Sequence, residues 1–194
     1  MKGPVLTLPN IVSLSRIPLG LAACLFVSLK WVLPAAAAIF LAVLTDYLDG
    51  IVARKTGSVS EWGRIFDPLA DKVAIGAFIV TLAALGTVPL WFLILFLTRD
   101  GLIALGGLYL TARLGSPPSS NIWGKYSSLI ISLYLATAAA AYMLEQELWP
   151  PGLELAGLDP LGLLALVFVI VSLIVYFSES VKKLRRPRPG QELS

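Results

Sequence analysis

The stretch DYLDGIVARKTGSVSEWGRIFDPLAD, Asp46–Asp71, carries four aspartates, at positions 46, 49, 67 and 71. The first pair is spaced i,i+3 and the second i,i+4. On a helix either spacing places both carboxylates on one face. Apolar runs flank the stretch, and the polar segment KTGSVSEWGR divides it. This layout predicts one helix that ends in the first pair and another that begins with the second. Laid side by side, the two helices bring four carboxylates together. Such charges at a membrane repel one another unless cations lie between them. Hard divalent cations such as Mg²⁺ take oxygen ligands, often shared with substrate phosphates. The stretch therefore points to metal-dependent chemistry on a phosphate compound.

The rest of the chain supplies a membrane for it. Of 194 residues, 57% are hydrophobic and only 14% charged, and the mean hydropathy is +0.84. This is the composition of an integral membrane protein, expected to form a single domain over residues 1–194. There is no histidine, which excludes histidine-based nucleophile activation, histidine general bases and histidine-rich zinc sites. Cys24 is the single cysteine and lies in an apolar run. It has no partner for an internal disulfide and reads as a buried structural thiol. The first residues, MKGPVLTLPN, lack the charged-then-apolar layout of a signal peptide, so the first apolar run is expected to be retained.

Taken in order, the chain predicts an all-α protein with six transmembrane helices and an N-terminal interfacial helix. Residues 5–16 are too polar to span alone and read as the interfacial helix, leading to Arg16. Spans follow at about 17–31, from 33 with the helix carried on to Arg54, at 66–86, 89–112, 127–144 and 160–178. Residues 182–194 form a basic tail, disordered beyond Leu184, that suits anionic lipid headgroups. Six spans put both termini on one side. All 15 Lys and Arg residues except Lys30 and Arg99 fall on that side, whereas the opposite loop, Glu145 to Asp159, is acidic. The positive-inside rule makes the aspartate side cytoplasmic. Trp31, Trp91 and Trp149 near the outer ends, with Trp62 and Trp123 near the inner ends, form the expected aromatic belts.

The full pattern, D-x2-D-G-x2-A-R-x8-G-x3-D-x3-D, resembles the signature of the CDP-alcohol phosphatidyltransferases. Every defined position matches: Asp46, Asp49, Gly50, Ala53, Arg54, Gly63, Asp67 and Asp71. The resemblance implies transfer of a phosphatidyl group from CDP-diacylglycerol to an alcohol, with release of CMP. It also implies two Mg²⁺ or Mn²⁺ ions held by Asp46, Asp49, Asp67 and Asp71, with Asp71 as the general base. It places Asp49, Gly50, Ala53, Arg54 and Gly63 against the CDP-lipid, and it implies a homodimer in the cell membrane. The residue types agree with those roles. Gly50 and Ala53 share a side of the helix with the first aspartate pair, and small side chains there admit a nucleotide close to the backbone. Small residues in membrane helices also serve as packing contacts, which is the competing reading of either one alone. Arg54 offers a planar fork of donors for phosphate. Isolated aspartates at a helix end are otherwise solvated or structurally paired.

Further stretches resemble the phosphatidylglycerophosphate synthase branch: LPNIVSLSRIPLG, DPLADK, TRDGLIALGG and GKYSS. That branch uses glycerol 3-phosphate, an anion that needs a cationic pocket. Arg113 and Lys125 are the candidates for it, with Arg16 and Lys72 as further cations. Positive-inside anchoring is the alternative role for Arg113 and Lys125. Ser127 and Ser128 depart from the Lys-Thr often found after the GK element. The TRD element also resembles the cardiolipin synthases, whose acceptor is phosphatidylglycerol. Arg99 with Asp100 reads as a structural pair inside the membrane. Two other classes compete. A divalent-cation transporter would place its acids nearer the midplane and has no use for Arg54. A prenyl-diphosphate transferase would need two well-separated acidic motifs. No nucleic-acid partner is expected.

Overall fold

The computed structural model describes residues 8–56, 63–114, 122–150 and 152–185; the side chains of residues 8–13, 46–56, 63–69, 71, 114 and 185 lie outside that description. The described residues form six helices: α1 (Leu8–Ser28), α2 (Val32–Thr56), α3 (Gly63–Ala84), α4 (Leu90–Leu114), α5 (Ile122–Leu144) and α6 (Pro160–Arg185). The spans Leu90–Arg113, Ile122–Leu144 and Pro160–Leu184 are long and apolar enough to cross a membrane. Leu14–Ser28, Val32–Thr45 and Lys72–Ala84 are shorter apolar segments. Large apolar side chains face outward along these helices, among them Leu105, Leu108, Ile174 and Phe177, while Arg99, Ser127 and Ser172 are buried. In water the first set would be costly to expose, but against lipid tails it is not.

The expected break between an interfacial helix at 5–16 and a first span does not occur. α1 runs unbroken from Leu8 through Pro18 to Ser28. Pro18 removes only one backbone donor, whereas a broken helix would leave several backbone groups unbonded at membrane depth. α1 packs against both α2 and α3, which supports its continuity past Pro18. α5 starts at Ile122 rather than 127, and α6 continues to Arg185. Lys182 and Lys183, expected in a tail, are therefore helical; residues 186–194 lie outside the described residues.

The chain divides into two compact units, one of residues 1–89 with 135–150 and the other of residues 90–134 with 151–194. In the first, α1 is the shared element, packed on α2 and on α3. Gly20 permits the α1–α3 approach, since a Cβ there would lie 3.0 Å from the Ala74 Cβ. Ala23, Val27, Ala35, Ala38, Ala70, Ile79 and Leu82 complete this core, and Cys24 is buried as a free thiol. α1 ends on Lys30, which adopts φ 57°. Lys30 N–H donates to the Val27 carbonyl and Trp31 N–H to that of Phe26, so the last carbonyls are satisfied. The Trp31 ring stacks on Phe26 at 5.9 Å.

Lys30 then reaches Glu145, just past the end of α5, in an exposed ion pair, and its ammonium lies 4.9 Å from the centre of the Tyr142 ring. The hydrogen bond from Lys30 is the main cause that holds the Glu145 carboxyl below its ordinary 4.5, and the same bond raises Lys30 above 10.5. A lowered carboxyl stabilises the fold above its unfolded value and loses that contribution as pH falls through the folded one. A raised ammonium stabilises below its unfolded value and loses that contribution as pH rises through the folded one. Glu145→Gln is thus expected to lower the thermal midpoint slightly between pH 5 and pH 10, by an amount that shrinks at high salt. At a pH below the lowered folded value of Glu145 the variant and the unsubstituted chain should melt together. A difference that persists there would remove the ion pair as its cause.

In the second unit α4 and α6 are joined by a buried polar ladder. Arg99 Nε and Nη2 donate to Ser172 Oγ at 3.2 and 3.1 Å, and Nη1 donates to Asp100 Oδ1 at 2.6 Å. Ser172 Oγ donates in turn to the Val169 carbonyl. One turn further along each helix, Tyr176 O–H donates to the Ile103 carbonyl at 3.0 Å. The Tyr176 ring covers Gly106, where a Cβ would come within 2.8 Å of its oxygen. Tyr134 of α5 is buried edge-on to Phe92 and against Gly162. A tight turn precedes α6: Leu155 and Leu158 exchange backbone hydrogen bonds around Ala156 and Gly157, both at positive φ. Trp91 Nε1 donates to the Ala156 carbonyl. Asp159 caps α6 through Oδ1, which accepts from Gly162 N–H, and Pro160 occupies the first helical position.

Candidate active site

The helix–link–helix expected for the aspartate stretch is realised in the backbone. Asp46, Asp49, Gly50, Ala53 and Arg54 all lie in the second half of α2. Gly63 opens α3, and Asp67 and Asp71 follow within its first three turns. Each pair therefore has the helical spacing that puts its two positions on one face. α1 packs against both carriers, so one helix fixes the α2 and α3 backbones of the candidate site. The side chains of these eight motif residues lie outside the described residues.

Among the described residues, Arg16 is a buried cation that the fold ties to this stretch. It is 5% exposed, on the helix that packs against both motif helices. Gly20 meets Ala74, and one turn earlier in the sequence of each helix stand Arg16 and Ala70, both buried. Ala70 is fully buried and sits in sequence between Asp67 and Asp71. A buried guanidinium is costly unless it meets an acceptor or an anion, which sets Arg16 apart from a surface anchor. Its signal in sequence was an arginine amid the apolar run of α1. Lys72 is exposed.

The two cations expected to share an acceptor pocket lie at the end of α4 and in the first turn of α5, both exposed. Arg113, exposed at the end of α4, donates to Tyr109 O–H at 2.7 Å and lies 5.9 Å from the centre of that ring. This is the conformation of an interfacial anchor on its own helix. Lys125 is exposed in the first turn of α5. Two residues on, Ser127 is fully buried, with an Oγ that has no hydrogen-bond partner among the described residues. Ser128 Oγ donates to the Gly124 carbonyl. Arg99 and Asp100 are occupied within the α4–α6 ladder, which gives them a structural role.

The described residues are almost wholly helical, with three helices long and apolar enough to cross a membrane and one aspartate pair on each of two helices packed against α1, which defines a class of helical membrane protein. The family follows from the whole chain. Residues 6–178 match the CDP-alcohol phosphatidyltransferase family, and the chain belongs to it. It is 36% identical over 132 residues to the CDP-diacylglycerol--glycerol-3-phosphate 3-phosphatidyltransferase of Aquifex aeolicus (strain VF5), covering 67% of this chain and 74% of that protein. It is 30% identical over 146 residues to the protein of that name from Bacillus subtilis (strain 168), covering 75% of this chain and 72% of the relative. The cardiolipin synthase (CMP-forming) of Streptomyces coelicolor is 33% identical over 131 residues, covering 62% of this chain and 59% of that enzyme. Against some relatives, such as the Mycoplasma genitalium protein at 62%, the match spans less than two thirds of the relative's length.

Proposed function

We propose that this protein transfers a phosphatidyl group from CDP-diacylglycerol to glycerol 3-phosphate, giving phosphatidylglycerophosphate and CMP. The observation that carries the reading is the complete eight-position motif, set on two helices that a third one holds. Two relatives named for this reaction, over most of their length, support the acceptor.

The donor set fits divalent metal: Asp46, Asp49, Asp67 and Asp71 offer hard oxygen ligands at helical spacing. When bound there, Mg²⁺ or Mn²⁺ would offset the charge of the diphosphate. Gly50, Ala53 and Gly63 leave room for the nucleotide, and Arg54 holds a phosphate oxygen through its fork. Asp71 accepts the proton of the acceptor hydroxyl. The freed oxygen attacks the phosphorus that carries the diacylglycerol, and the bond from that phosphorus to the CMP oxygen breaks. CMP leaves with the bonding electrons. The protein acts as a homodimer of six-span subunits in the cell membrane, both termini and the site facing the cytoplasm. Arg16 and Lys125 attract the acceptor's phosphate.

The test is an acceptor screen. Detergent-purified protein with CDP-diacylglycerol and Mg²⁺ or Mn²⁺ is offered glycerol 3-phosphate, inositol 1-phosphate, inositol, serine and phosphatidylglycerol, and CMP release is followed. Metal-dependent release with glycerol 3-phosphate alone is expected. Release with phosphatidylglycerol alone would move the protein to cardiolipin synthesis, the reading that the Streptomyces relative favours. Cation flux into liposomes without CDP-lipid would favour a transporter. Lys125→Ala should raise the KM for glycerol 3-phosphate about tenfold or more, with a smaller change in the KM for the CDP-lipid. An unchanged acceptor KM would remove Lys125 from the site.

A further inference from the structure

In the second unit α4 and α6 run in the same direction, since Arg99 meets Ser172 and, four residues on along each helix, Ile103 meets Tyr176. The Tyr176 ring covers Gly106. Seven residues, close to two whole turns, return a helix to the same face. On α4 that step links Arg99, Gly106 and Arg113; on α6 it links Val169, Tyr176 and Lys183. The seam between the two helices, a satisfied polar ladder at Arg99, thus ends in two cations, one from each helix. Lys182 adds a third beside Lys183. Glu179, one turn before Lys183, is the one acid at this end among the described residues of the unit. α5 runs the other way, with Tyr134 against Gly162 and Trp123 against Phe168, and so brings Lys125 to the same end. Like charges gathered there repel unless an anion lies among them.

We propose that the shared end of α4 and α6 binds the headgroup of an anionic phospholipid, a lipid other than the donor, between Arg113 and Lys183. The surface just behind the cations favours a lipid over a free phosphate. Leu105 and Tyr109 precede Arg113 at four-residue steps, and Ile174 and Phe177 precede Lys182; all four are exposed. An apolar surface that gives way to cations at a helix end matches the boundary between acyl chains and headgroups. Arg113 donates to Tyr109 O–H and lies against its ring. That contact sets the guanidinium at the boundary and leaves most of its donors for phosphate oxygens. Lys182 and Lys183 belong to α6 rather than to a tail. Their backbone is ordered before any lipid arrives, so less ordering opposes binding. The site is separate from the aspartate motif and does not depend on which acceptor the enzyme uses.

The experiment uses the full chain in phosphatidylcholine bilayers, with a trace of nitroxide-labelled phosphatidylserine or nitroxide-labelled phosphatidylcholine. The fraction of label held motionally restricted by the protein gives its preference for the anionic headgroup. A preference of at least about threefold is expected, and it should weaken as salt rises. Arg113→Gln combined with Lys183→Gln should remove most of it, whereas Arg186→Gln combined with Arg188→Gln should leave most of it. An unchanged thermal midpoint in phosphatidylcholine alone checks that the first variant is folded; the behaviour of the unsubstituted chain decides the proposal even if it is not. No preference in the unsubstituted chain overturns the site. A preference that survives the first pair of substitutions and is lost with the second also overturns it, and assigns the lipid to residues beyond α6. Displacement of the label by inorganic phosphate at constant ionic strength would make this a phosphate site. Displacement by CDP with Mg²⁺ would make it the donor's own site. Either result overturns the proposal.

Discussion

Asp71→Asn is expected to lower kcat by about a thousandfold, within the range that general bases contribute, while CDP-lipid binding changes little. The substitution keeps the shape of the side chain and its place in α3 but removes the site that takes the acceptor proton. With no histidine in the chain, a carboxylate is the fitting base. Acceptor hydroxyls hold their protons tightly, so a large share of the barrier should depend on it. Binding of a fluorescent CDP-lipid separates this role from metal binding. In Asp67→Asn the metal concentration for half-maximal activity should rise and saturating metal should restore much of the turnover, whereas in Asp71→Asn turnover should stay low even at saturating metal. Near-normal turnover in Asp71→Asn would exclude Asp71 as the base.

Arg99→Ala should be the most destabilising single change in the second unit. It removes the cation beside Asp100 and both donors to Ser172, with the Arg99 and Asp100 side chains only 7% and 20% exposed. Breaking a buried pair from one side costs about 3–5 kcal/mol. At roughly 2–4 °C per kcal/mol for a chain of this size, the thermal midpoint in detergent should drop by about 10 °C. Arg99→Leu combined with Asp100→Leu should recover most of that loss, because it removes both charges together. Acceptor KM measured at low temperature should not move. A loss in acceptor affinity with an intact midpoint would instead place Arg99 among the substrate contacts.

Much of this was legible before any fold was known. Helices α2 and α3 could be bounded because an apolar run ends in acids on one side and begins with them on the other. The spans placed from 33 and from 160 start within one residue of α2 at Val32 and of α6 at Pro160. The N-terminal segment misled for a physical reason: Asn10, Ser13 and Ser15 make it too polar to span alone, yet as the first turns of α1 it is carried by packing against two neighbours. The pairing of Arg113 with Lys125 rested on nearness to one polar loop; the structure adds that the exposed Arg113 guanidinium donates to Tyr109 O–H on its own helix.

By itself the sequence determined the chemistry on offer: four carboxylates at helical spacing, an arginine for phosphate, no histidine, and enough apolar length to place them in a membrane. Those properties depend on residue type and on period along one helix, and both are local. Only the tertiary structure decided that α1 is the common support of both motif helices, that Arg16 is buried, that Arg99 is held by Ser172, and that an apolar groove lies between α2 and the last part of α5. Each of these is a meeting of residues far apart in the chain. Hydrophobic burial is non-directional, so the apolar runs say that helices pack, while close fits such as Gly20 on Ala74 say which faces meet.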